Sequence, residues 1–214
     1  MTGLMKNKIL DIENYFDELF PNPKCELNYS KDYELLIAVV LSSQTTDKKV
    51  NNVTSVLWKK YDLYSLADAN ISDIENIIKP IGLFKRKAEY IISIAKVLIN
   101  QYNGVVPNDR IILEKFPGVG RKTANVVLGL LYDVPSIAVD THAERVSKRL
   151  NLALENDSVS LVEKKLMNLY SKENWVKRHH QMVLFGRYKC KSMSPLCSDC
   201  KLKKICMYKK KNQF

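Results

Sequence analysis

Nearly every segment of this chain longer than ten residues repeats its apolar side chains at intervals of three and four, and no alternating run argues for a strand. That spacing gathers apolar residues on one face of a helix, whereas a half-buried strand needs a period of two. Residues 9–20, 33–41, 47–60, 85–102, 122–132, 143–151, 159–170 and 175–188 all carry it. The breaks between them are short and marked by Pro, Gly, Asn or Asp, which stop helices and start turns. An all-α fold of about ten helices is therefore expected. No low-complexity linker interrupts the chain, so any division into domains must come from packing.

A chain of 214 residues can bury a real core. Its longest apolar runs, such as Leu35 to Leu41, are far shorter than the ~20 residues a membrane span needs. Charges scattered through the first turns argue against an export signal, so a cytosolic protein is expected. Lys and Arg number 34 against 23 acidic residues, a net charge of +11. Such an excess favours a polyanionic partner, nucleic acid first and an anionic membrane surface second. From Arg187 onward there are nine Lys or Arg and one acid, Asp199.

Of the five cysteines, Cys25 stands alone, which is ordinary for a small buried hydrophobe. Cys190, Cys197, Cys200 and Cys206 follow the pattern C-x6-C-x2-C-x5-C. In a cytosolic chain such crowding reads as a metal or cluster site rather than as disulfides. On ligand softness, four thiolates suit zinc and an iron–sulfur cluster equally well.

The segment "FPGVGRKTANVV", residues 116–127, holds the most chemistry. Gly118 and Gly120, on either side of Val119, are expected to take backbone angles closed to other residues. Their amides and those of the next helical turn would form a nest for an anion, and a phosphate suits a basic protein. The preceding "DRIILEKF" reads as a short helix, so the unit is helix, hairpin, helix. A nucleotide-binding P-loop needs four residues between its glycines and a strand before them, and has neither here. Arg121 and Lys122 stand at the positive end of the following helix, where cations are destabilising unless compensated. A bound phosphate would compensate Arg121. Lys122 is either a second phosphate ligand or an amine whose proton is easily lost, and such an amine is a nucleophile. Downstream, "IAVDTHAERVSKRL" (137–150) places Thr141 and Glu144 at capping-box spacing. Asp140 is thus either a helix-start residue or a carboxylate able to stabilise a sugar cation and move protons.

"FPGVGRKTANVV", "VDTH" and the cysteine tail, in that order, resemble the endonuclease III family, the bifunctional DNA glycosylases and abasic-site lyases of the helix-hairpin-helix superfamily. The likeness runs from about Tyr33 to Cys206. It implies two helical lobes with a DNA-binding cleft between them. One lobe, 25–133, would contain the helix-hairpin-helix motif; the other, 1–24 with 134–214, would hold an iron–sulfur cluster. By the same resemblance Lys122 attacks the sugar C1′ and Asp140 assists. The four cysteines would hold a [4Fe–4S] cluster of structural role. Gly118, Val119, Gly120, Arg121 and Lys191 would contact DNA. The Cys190–Cys197 loop carries only Lys191 where family members commonly place several cations, a shortfall that Lys201, Lys203 and Lys204 are expected to offset. Gln44 in "SSQTTD" and Leu83 in "IGLF" match positions that the family inserts into DNA; otherwise they read as a solvated helix end and a hydrophobic staple. His142 would lie near the pocket, while His179 and His180 read as helix packing. The implied protein is a monomer that removes damaged pyrimidines from duplex DNA and cleaves the abasic site.

An adenine-mismatch glycosylase of the same superfamily would place a glutamate about a turn before the "QT", where this chain has only apolar residues 37–41, and would lack Lys122. A thymine-mismatch glycosylase on the same scaffold fits these motifs as well. A non-catalytic DNA-binding module would use the hairpin only as architecture, and an iron–sulfur electron carrier would not need it.

Overall fold

The computed structural model describes residues 3–209 together with 212 and 213; Lys210 and Lys211 of the basic tail lie outside the described residues. The helices, in chain order, are α1 (Gly3–Leu19), α2 (Asp32–Leu41), α3 (Asp47–Lys60), α4 (Leu63–Ala67), α5 (Ile71–Ile78), α6 (Phe84–Tyr102), α7 (Arg110–Leu113), α8 (Arg121–Leu131), α9 (Thr141–Arg149), α10 (Val159–Leu169) and α11 (Trp175–Leu184). No strand occurs among the described residues, and the fold is all-α. Helices α4 and α5 have no counterpart in the periodic segments, because five and eight residues are too few to establish a period. Nor does the last periodic segment stay α-helical to its end. After α11 the chain widens into a π-helical turn, Phe185–Lys189. Among the described residues no helix is long and apolar enough to cross a membrane.

The chain divides into two compact units, Cys25–Asp133 and Met1–Lys24 with Val134–Phe214. In the first, α2 is the centre: every residue from Tyr33 to Leu41 is buried. A helix apolar on all sides is stable only when other helices surround it, and α3, α6 and α8 pack against this one. Fully burying Leu35, Leu36 or Ile37 contributes roughly 1.5–3 kcal/mol each. Short polar residues set the helix starts around it. Asp62 accepts from the Ser65 amide, Asn70 from Ser72 and Asp109 from Ile112, each satisfying an otherwise orphaned donor.

The second unit is built around a cluster that includes Ile12 and Phe16 of α1, Val146 of α9, Leu166 of α10, Met182 of α11 and Phe185 directly after it. Phe185 meets Phe16 at 5.1 Å and Tyr15 edge-on at 6.1 Å between ring centroids. Arg178, almost wholly buried on α11, donates to Asp17 and Glu13 of α1 and to Gln181, so its buried charge is paired with two carboxylates that themselves reach solvent.

Candidate functional site

The hairpin lies between α7 and α8. Gly118 has φ 74°, and a Cβ there would stand 2.5 Å from Tyr90 Cδ2 and 3.1 Å from Val40 Cγ1. Backbone angle and space both demand glycine. Gly120 differs: at φ −102°, ψ 179° it is ordinary extended chain, and an added Cβ meets nothing within 4 Å. The expectation of special backbone angles at both glycines thus holds only for Gly118. Val119 is buried and its amide donates to Phe116 O at 3.1 Å, so that N–H is used inside the turn. The first bond of the α8 ladder runs from the Ala124 amide to Gly120 O at 3.0 Å, so the Lys122 and Thr123 amides precede it. The Arg121 and Lys122 side chains are both exposed.

Asp140 is the N-cap of α9. Its Oδ1 accepts from the His142 amide at 2.9 Å and the Ala143 amide at 2.8 Å. The cap therefore falls one residue before the Thr141–Glu144 spacing, because the Asp140 carboxylate already satisfies the donors a capping box would serve; Glu144 instead pairs with Lys148 at 2.7 Å. Both cap bonds fall on Oδ1, so Oδ2 is not engaged by them. Buried Ile137, Ala138 and Val139 anchor the chain that leads to it.

Two residues that sequence reasoning passed over support this helix start. A Cβ on Gly186 would stand 2.8 Å from His142 Cβ, so only glycine lets the π-helical turn lie against the first turn of α9. Arg145 donates to Gly186 O at 2.6 Å and to Cys190 O at 3.2 and 3.1 Å, and lies 3.3 Å from His142 Nδ1. Burial pushes the His142 imidazole below its ordinary value; the Asp140 charge opposes this, and Arg145 and Arg187 reinforce it. The only sequence signal for Gly186 was a glycine where the helical pattern was about to end. His179 and His180 are buried on α11.

Gln44 and Leu83 share an unusual property. Both are non-glycine residues with positive φ, 55° and 59°, and both side chains are exposed. Gln44 follows the end of α2, and Leu83 is the residue before α6. Of the three cations after Leu83, Lys85 and Arg86 are exposed, whereas Lys87 turns inward and is buried.

All four tail cysteines line one small cavity, together with Arg149, Phe185 and Lys189. Arg149 organises its rim: it donates to Cys190 Sγ at 3.3 Å, Lys191 O at 2.7 Å and Ser192 O at 3.1 Å, and stacks 3.9 Å from the Tyr208 ring centroid. Burial, then the neighbouring Cys190 and Cys206, raise the Cys197 thiol. Cys200 is raised by burial first, and the same two cysteines add to it. Among the described residues no three His, Cys, Asp or Glu side chains converge as ligands of a single metal ion. Lys191 is exposed. Lys201 is tied to Glu18 at 2.6 Å, so part of its charge is neutralised locally.

Residues 37–172 match the model of the HhH-GPD superfamily base excision DNA repair proteins. Endonuclease III of Bacillus subtilis (strain 168) is 48% identical over 190 residues, 88% of this chain and 87% of the relative. The chain belongs to the endonuclease III family. Endonuclease III of Escherichia coli (strain K12) is 44% identical over 207 residues, 96% of this chain and 98% of that one. A solved structure of a trapped endonuclease III–DNA covalent intermediate superposes with a TM-score of 0.92 at 47% identity, covering 98% of this chain and 99% of the other. Membership in the endonuclease III family makes this chain a base excision repair enzyme, a DNA glycosylase with abasic-site lyase activity.

Proposed function

We propose that the chain removes oxidised or otherwise damaged pyrimidines from duplex DNA and nicks the resulting abasic site, with Lys122 as the nucleophile. One observation carries this reading: an exposed lysine in the first turn of α8, directly after a turn built on Gly118, in a chain akin to an enzyme caught covalently on DNA. Lys122 Nζ adds to C1′ of the extruded nucleotide, and the C1′–N bond to the base breaks, the base leaving with the electron pair and gaining a proton. The sugar ring opens to an iminium on Nζ. Loss of a C2′ proton then expels the 3′ phosphate by β-elimination, and water frees the lysine. Asp140 stabilises the positive charge that develops on the sugar and moves protons in these steps. Supporting it are the cap bonds on Oδ1, which hold the carboxylate still and do not engage Oδ2. Borohydride reduction during turnover of a duplex with one oxidised pyrimidine should give a covalent protein–DNA adduct. Base release without any adduct would contradict the lysine chemistry.

Duplex DNA is bound through the hairpin, Arg121 and Lys191, and Gln44 and Leu83 occupy the gap left by the extruded nucleotide. His142 borders the pocket. The two glycines make separable predictions. Gly118→Ala should cost about 1–3 kcal/mol of stability, since it forces a side chain into the left-handed region and against Tyr90. Gly120→Ala meets no protein atom and should cost only about 0.5–1 kcal/mol as a poorer N-cap, while weakening duplex binding if a phosphate approaches the hairpin backbone there. Thermal unfolding and duplex titration of both variants check this.

Cys190, Cys197, Cys200 and Cys206 hold the cofactor. Thiolate softness suits zinc and an iron–sulfur cluster alike, and membership in the endonuclease III family favours the cluster. Four thiols spread around a shared cavity fit a [4Fe–4S] cluster, in which each sulfur takes a different iron. When bound, the cluster supplies shape rather than redox chemistry, because neither base release nor elimination transfers electrons. Protein purified without oxygen should carry about four iron and four acid-labile sulfide per chain; zinc without sulfide would overturn the assignment. The protein acts as a monomer in the bacterial cytosol, a reading supported by the bacterial source of its relatives.

A further inference from the structure

Lys87 is the most deeply buried lysine of the Cys25–Asp133 unit, with 3% of its surface exposed. A buried ammonium is costly unless each of its three protons finds an acceptor. Here each does: Nζ donates to Leu41 O at 2.9 Å, Ser43 O at 2.7 Å and Thr45 Oγ1 at 3.1 Å. Leu41 is the last residue of α2, where a cation favours the negative end of the helix. A simple helix cap would need no more than that carbonyl. The other two acceptors lie beyond the helix, and they are the residues immediately before and after Gln44. Its own amide makes the first ladder bond of α6, to Leu83 O at 3.0 Å, so the side chain ties the Gln44 turn to the helical turn that opens at Leu83.

One residue therefore spans both turns. Gln44 and Leu83 each hold a positive φ that a non-glycine side chain disfavours, so neither turn keeps its shape by local preference alone. We propose that Lys87 is a positioning residue that clamps the Gln44 turn to the Leu83 turn and thereby fixes the spacing of the two side chains that fill the gap in opened DNA. The inference rests on the reading of Gln44 and Leu83 as gap-filling residues given above. Lys87 touches no DNA in this scheme; it acts through the backbone on either side of Gln44 and through Leu83 O.

Gap filling matters only where a base stack has been opened. An abasic duplex or a damaged duplex needs it, and an abasic single strand does not. Lys87→Met keeps the apolar stem and removes the three donors. Misplacing a contact by an ångström can cost on the order of 100-fold in rate, so single-turnover base release from duplex should fall about 10- to 100-fold. Borohydride capture on an abasic single strand should stay within about twofold of wild type, because Lys122 is untouched. Thr45→Val removes one acceptor on the less buried side and should show a smaller loss with the same duplex selectivity.

Equal losses on duplex and single strand would mean that Lys87 only supports the fold, and no loss on duplex would mean that the clamp is idle; either overturns the proposal. If Lys87→Met does not fold, Thr45→Val decides, with wild-type duplex rates counting against the clamp. Gln44→Ala and Leu83→Ala separate the two layers of inference. Should both retain wild-type duplex rates, the gap-filling reading fails and takes the role of Lys87 with it. Should both be slow while Lys87→Met and Thr45→Val are not, gap filling stands and the clamp falls.

Discussion

Lys122→Ala is expected to bind damaged duplex but to release no base and form no borohydride adduct, with activity down on the order of 10⁴- to 10⁶-fold, the range seen when a covalent nucleophile is deleted. The side chain is exposed at the start of α8 and caps nothing, so the unfolding midpoint should match wild type. A lysine at a helix N-terminus is no help to that helix, and its replacement by alanine, the best helix former, should if anything stabilise α8. Loss of chemistry with retention of fold and of most binding is the signature of a nucleophile rather than of a phosphate ligand. A phosphate ligand would show the reverse pattern: weaker binding, a shallower salt dependence and a surviving adduct. An adduct that persists in the alanine variant identifies another amine as the attacking group and removes the mechanism proposed here.

Asp140→Asn should lower single-turnover base release about 10²- to 10⁴-fold, as expected for a group that moves protons or stabilises charge in the transition state. Asparagine caps helices about as well as aspartate, so this variant keeps the amide bonds of His142 and Ala143 and isolates the loss of charge. Asp140→Ala removes the cap as well and should cost a further ~1 kcal/mol of stability. The pair distinguishes the two roles of one side chain. If the asparagine variant keeps at least half of wild-type activity while the alanine variant unfolds earlier, the carboxylate is a helix cap and nothing more.

Much of this was legible in the chain because the signals are local. Apolar periodicity marks α1, α2, α3, α6, α8, α9, α10 and α11, since a helix's buried face depends on residues three and four apart. The turn after α7 is legible from Pro117, Gly118 and Gly120 for the same reason, and the cysteine grouping from spacing. Errors arose where two local signals competed. Thr141 with Glu144 has the spacing of a capping box, yet Asp140, one residue earlier, holds the cap because a carboxylate placed there reaches two amides at once. Gly120 looked like Gly118 in sequence, and only the neighbours Tyr90 and Val40 tell them apart.

Lys87 shows the limit most plainly. In sequence it is the third of three cations after Leu83, with nothing to separate it from Lys85 and Arg86. In the fold it is buried against the end of α2, hydrogen-bonded to residues more than forty positions earlier. Gly186 and Arg145 are similar, their partners lying on other elements. By itself the sequence determined an all-α chain, a glycine turn followed by an amine at a helix start, a carboxylate ahead of another helix and four clustered thiols. Tertiary structure alone decided which glycine is sterically required, which lysine is buried, and how the turns at Gln44 and Leu83 are tied together. Helix periods and turn residues act over a few positions, whereas the acceptor that a buried donor finds depends on how whole helices pack.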